Sequence, residues 1–194
     1  MFMKIIQSIA LILFPLVFLG PQSLGAEPKK NSSEALVAFK HIVTLITTYV
    51  ENGKEETLNE LTKHICEAED PDTGGKLVAD FRKAVGTGKF KDLEVLDRHW
   101  EDEGVALCLA VEVDPLSGFP NIHPTILVKD LKSAKWLMIA GDPSDLRKYE
   151  AIKQKHATID GFLERYEEAK GEIKKPFFER REKKREAERL HEQP

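Results

Sequence analysis

The sequence predicts an α+β fold: three N-terminal helices packed on a curved four-stranded antiparallel meander, followed by a charged helical C-terminal extension. Three observations carry this expectation. Apolar residues recur at spacings of three and four through the first part of the chain. The period changes to alternation from about residue 93. Beyond residue 148 half of the residues are charged. With 41% apolar residues in 194, the chain can bury the core of one domain and carry appendages besides. The balance of 29 Lys+Arg against 33 Asp+Glu gives a net charge of −4, which argues against nucleic acid as a partner. Two cysteines exclude a disulfide-built scaffold and a zinc site of four thiolates.

The elements are read in chain order. Residues 1–26 have a short positive start at Lys4, an apolar run from Ile5 to Gly20 and a small, polar Pro21–Ala26. This is the pattern of a secretory signal peptide, cleaved after Ala26 or after Gly25. The run is short for a membrane span and holds Pro15 at its centre, so membrane contact is expected only if the segment is not cleaved. The expected location is therefore the periplasm or the exterior. Export also permits oxidation, so Cys66 and Cys108 are read either as a bridge or as two buried thiols.

Residues 27–32 form a linker, and the domain proper is expected over 33–148. Asn31 and Glu34 suit a capping box at the start of a helix. Leu36, Phe39, Val43, Ile46 and Val50 then make one helical stripe, which Asn52-Gly53 ends. A second helix is predicted over Glu55–Cys66. An acidic loop, 67–75, leads to a third helix over Lys76–Val85. The loop opens like a calcium loop but has Phe81 where the twelfth position needs Glu, so an EF-hand is excluded. Strands are predicted from Leu93 to Trp100, from Val105 to Val113, from Ile122 to Lys129 and from Lys135 to Ala140. The short turns between them predict a meander.

The helix, short helix, helix and meander ending in KWLMIAG resemble the nuclear-transport-factor-two-like superfamily, which includes SnoaL-type proteins and ketosteroid isomerase. The segments LEVLDRHWEDEGVALCLAVEV and ILVKDLKSAKWLMIAG carry the likeness, which covers residues 33–142. It implies a curved sheet around helices with a pocket at the open end, and no single activity.

Candidate chemistry follows from the first hairpin. A three-residue turn at Asp102–Gly104 sets Glu101 opposite Val105. Asp97 and His99 then project together from the core face, and an inward carboxylate and imidazole are the base or proton carrier of a pocket enzyme. The competing expectation is that both meet water at the strand end. His41, Trp100 and Trp136 are candidate ligand contacts. His64, His123, His156 and His191 are read as edge or solvated positions. With no HExxH, no His/Cys cluster and no phosphate-cradling loop, no metal or cofactor is expected.

Residues 149–194 hold 12 Lys+Arg and 11 Asp+Glu, with Ile152, Ile159, Tyr166 and Ile173 recurring every seven residues. Gly161, Gly171 and Pro176 interrupt this seam, so it is read as a solvated helix. The alternatives are a helix that lies back on its own domain, and one that binds a protein partner or a second copy of the chain. The resulting expectation is an exported, non-catalytic binding or interaction module with a possible small apolar ligand. The alternatives are an isomerase- or hydratase-type enzyme using Asp97 and His99, and a dimerising platform presenting the tail.

Overall fold

The computed structural model describes residues 33–66, 71–114, 117–139 and 149–191. The expected signal peptide and the linker lie outside them. The described residues form one compact unit of α+β class, with four helices and a mixed sheet among them.

Helix α1 (Glu34–Asn52) starts at Ser33, whose hydroxyl accepts from the Leu36 N–H at 3.0 Å. Ser33 thus takes the capping place expected for Asn31, and Glu34 pairs with Lys129 at 2.7 Å. The helix ends as expected at Gly53, whose φ of 64° lets its N–H reach the Tyr49 carbonyl. Helix α2 (Glu55–Thr62) stops four residues before its expected end. Ile65–Cys66 instead form strand β1, which pairs in parallel with strand β6 (Trp136–Ile139). The Met138 N–H donates to the His64 carbonyl at 2.7 Å and fastens that join. Helix α3 (Pro71–Ala84) begins five residues earlier than expected. Pro71 is suited to a first helical position because its missing N–H would have had no partner there.

The sheet runs β1-β6-β5-β4-β2, where β2 is Glu94–Val95, β4 is Val105–Val113 and β5 is Pro120–Lys129. Strand β3 (Trp100–Asp102) also pairs with β4. The expected first hairpin register is corrected here. The turn has two residues, Glu103 and Gly104, both left-handed at φ of 43° and 81°, a geometry matched to strand twist. Trp100, not His99, therefore stands opposite Leu107. Val95 stands opposite Ala110, so the four residues Leu96–His99 face only Cys108 and Leu109, and the strand bulges.

Both faces of β4 are buried, one against the helices that precede the sheet and one against the residues that follow it. Ala106, Cys108 and Ala110 face α1, α2 and α3. Val105, Leu107, Leu109 and Val111 face the tail. There a 3₁₀ turn (Glu150–Lys155) leads into α4 (His156–His191), which lays Ile159, Phe162, Tyr166, Ala169, Ile173 and Phe177 on the sheet. The seam expected to be solvated is a third layer of the domain, as the lie-back alternative required. Only from Phe178 onward does α4 lie largely in solvent.

Cys66 and Cys108 are both buried. Their strands are separated by β6 and β5, three steps of roughly 4.8 Å, and the two side chains belong to opposite layers. That separation of about 14 Å is twice what a disulfide spans. Of the two readings left open by the sequence, the buried thiols stand.

Candidate functional site

The small side chains on the helix-facing side of β4 leave room that the larger side chains opposite do not fill. A cavity of about 360 Å³ lies there, bounded by Phe39, Val43 and Ile46 of α1, Leu77 and Phe81 of α3, and Phe90 and Leu93 of the following loop. Its floor is Ala110, the β5 stretch Ile122–Ile126, and Met138 and Ile139. The volume is at the low end of the roughly 300–1,000 Å³ of small-molecule sites.

The cavity runs beside the part of β5 that β6 does not cover, since β6 pairs only with Leu127–Lys129. The Lys129 N–H points toward the β4 side, where it donates to the Gly104 carbonyl at 2.8 Å. By alternation, residues 120, 122, 124 and 126 turn their backbone nitrogens to the other edge. Two of them are Pro120 and Pro124, which lack the N–H that a pairing strand would seek.

His123 and Thr125 supply the polar side chains among the described lining residues. The His123 Nε2 lies 3.3 Å from Asn121 Nδ2 and 3.6 Å from Glu112 Oε2. Glu112 Oε1 accepts from the Phe90 N–H at 2.7 Å, so the same carboxylate anchors the loop that roofs the cavity. Phe90 meets His123 edge-to-face at 5.7 Å and Phe81 at 6.2 Å, which joins the three rings in one wall.

None of the five residues singled out from the sequence lines this cavity. Asp97 and His99 lie in the bulge. The Asp97 side chain is 90% exposed and pairs with Lys40 of α1 at 3.1 Å, while His99 Nδ1 lies 3.1 Å from the Asp97 carbonyl. Arg98 between them reaches Glu172 of α4 at 3.4 Å, so the bulge ties both helical layers to the sheet edge. Trp100 packs on the α4 side beneath Arg98. Trp136 is buried on the α1 side, with Lys129 over its ring at 5.9 Å. His41 is exposed on α1 and meets His64 edge-to-face at 5.1 Å.

His123 was visible in the sequence as a histidine near a strand start. Its place at the cavity depends on the register that sets it beside Ala110, whose small side chain leaves open space. The run Ala106, Cys108, Ala110, small residues at alternate positions of a buried strand, was the available signal. Among the described residues no group of three His, Cys, Asp or Glu side chains is placed to hold a metal ion, and no helix is long and apolar enough to cross a membrane. Comparisons with family models, curated proteins and solved structures return no match.

Proposed function

We propose that this chain is an exported, non-catalytic binding module whose cavity receives a small, largely apolar molecule. The observation that carries the reading is the cavity itself: about 360 Å³, walled by aromatic and aliphatic side chains, with one imidazole and one hydroxyl for orientation. Export rests on the n-region, apolar run and small-residue end of residues 1–26. The kinship to the nuclear-transport-factor-two-like superfamily is part of the same proposal. It is supported by helices preceding an antiparallel meander with a pocket between the two layers.

The other readings draw less support from the geometry. An enzyme built on Asp97 and His99 needs both groups at a shared cavity, and Asp97 is exposed, paired with Lys40 at the surface. A self-associating tail needs a free apolar seam, and the seam of α4 is occupied by its own sheet.

Native mass spectrometry of residues 27–194 purified from an exporting host tests the binding reading. Extra mass that vanishes on denaturation, and that is lost from an Ala110→Leu variant whose side chain fills the cavity, is the expected result. Extra mass carried equally by wild type and variant would place the ligand elsewhere and refute the assignment.

A further inference from the structure

Resting on the binding reading, we infer that the cavity selects small uncharged aromatic alcohols, with His123 and Thr125 holding the hydroxyl and Glu112 excluding anions. The ring wall of Phe81, Phe90 and His123, with Phe39 and Met138 also lining the space, favours a flat aromatic body through edge contacts and sulfur–ring contacts. The volume holds on the order of a dozen water-sized groups, which matches one substituted ring.

The polar end follows from the hydrogen bonds around His123. The Asn121 amide nitrogen can only donate, so Nε2 accepts from it and the ring proton sits on Nδ1. The Glu112 contact at 3.6 Å is too long to compete as a hydrogen bond. With Nε2 engaged in this way, Nδ1 is left as an N–H donor, while Thr125 can both donate and accept. Together they suit a hydroxyl, which also does both. Among the described residues lining the cavity none is Lys or Arg, and the Glu112 carboxylate stands directly behind the imidazole. A ligand carboxylate would enter an apolar space with no cation to pair with and a fixed negative charge nearby.

Titration calorimetry at pH 7.5 with 4-propylphenol, propylbenzene and 4-propylbenzoate tests this on the same protein. The phenol is expected to bind at least tenfold more tightly than propylbenzene, and the benzoate at least tenfold more weakly than the phenol. In Thr125→Val and in His123→Phe, which keeps an aromatic ring against Phe90, the preference for the phenol over propylbenzene should fall to within twofold, with propylbenzene affinity retained. Glu112→Gln keeps an acceptor for the Phe90 N–H and should recover benzoate binding about tenfold. Each variant is used only if its melting transition stays cooperative. Equal binding of phenol and propylbenzene by the wild type would overturn the hydroxyl assignment and leave the apolar site standing. Benzoate binding as tightly as the phenol would overturn anion exclusion. Binding of none of the three would overturn the cavity reading together with this one.

Discussion

Two titratable side chains show how burial sets chemistry residue by residue. Cys108 sits in the middle of β4 with no exposed surface, and burial pushes its thiol up to about 12, with Glu101 adding to the shift. The thiolate is the reactive form, so Cys108 should be inert in the folded protein. Iodoacetamide at pH 8 is expected to label it at least about a hundredfold more slowly than a free thiol, because reaction must wait for opening of the core. Peptide mapping by mass spectrometry reads this site separately from Cys66. His64 moves the other way. Burial holds its imidazole below the usual value, His41 of α1 adds to that, as do Lys63 and Lys135, and Glu60 opposes it. The unfolded chain therefore binds the proton more readily, and stability rises with pH through this window. The contribution is full above about 6.5 and is lost as the pH falls toward the depressed folded value. Urea midpoints at pH 7.5 and 5.5 should show a larger acid loss in wild type than in His64→Gln. An equal loss in both would assign the pH dependence to other groups.

Among the elements, α4 is helical through residues that disfavour a helix. It contains Gly161, Gly171 and Pro176, and tertiary packing keeps it helical despite them. A Cβ added at either glycine meets nothing within 4 Å. Gly161→Ala and Gly171→Ala should therefore each stabilise the fold by about 0.5–1 kcal/mol. The sites are ten residues, about 15 Å, apart along the helix, so the double variant should be additive. Thermal unfolding of the single and double variants checks both size and additivity. The same element shows what the sequence revealed and what it withheld. The seven-residue recurrence of Ile152, Ile159, Tyr166 and Ile173 marked an apolar seam, expected to be solvated, that the sheet in fact buries. It could not say what that face meets, because a seam written for a partner helix and one written for a sheet look alike along the chain. The alternation of β4 was legible for the same local reason. The bulge at Leu96–His99 was not, since the sequence does not mark a residue such as Glu103 for a left-handed turn. The two-residue turn shifts the register, and the bulge, not the turn alone, takes Asp97 and His99 out of the ladder.

For the molecule as a whole, the composition change near residue 148 suggested a boundary, yet the core crosses it. The sheet is a shared wall: α1, α2 and α3 cover its small-residue face, and residues 149–177 cover the face of Val105, Leu107, Leu109 and Val111. Seven large side chains beyond residue 148 are buried in that layer, namely Tyr149, Ile152, Ile159, Phe162, Tyr166, Ile173 and Phe177. At roughly 1.5–3 kcal/mol for each buried side chain, their gross contribution is on the order of 10–20 kcal/mol, which equals or exceeds the ~5–15 kcal/mol net stability of an ordinary domain. A chain ending at residue 148 should consequently lose cooperative unfolding and expose its sheet to hydrophobic dyes. Ile159→Ala, a single deletion in the same layer, should cost about 2–5 kcal/mol and leave the fold intact. The charged end of α4 supplies the control. Residues 182–189 are exposed, so a stop after Arg181 should change stability by no more than about 0.5 kcal/mol. Circular dichroism melts of the three variants separate a structural layer from an appended tail. An intact cooperative melt for the chain ending at 148 would show that the sheet needs no cover on that face, and that α4 is an addition to a domain already complete.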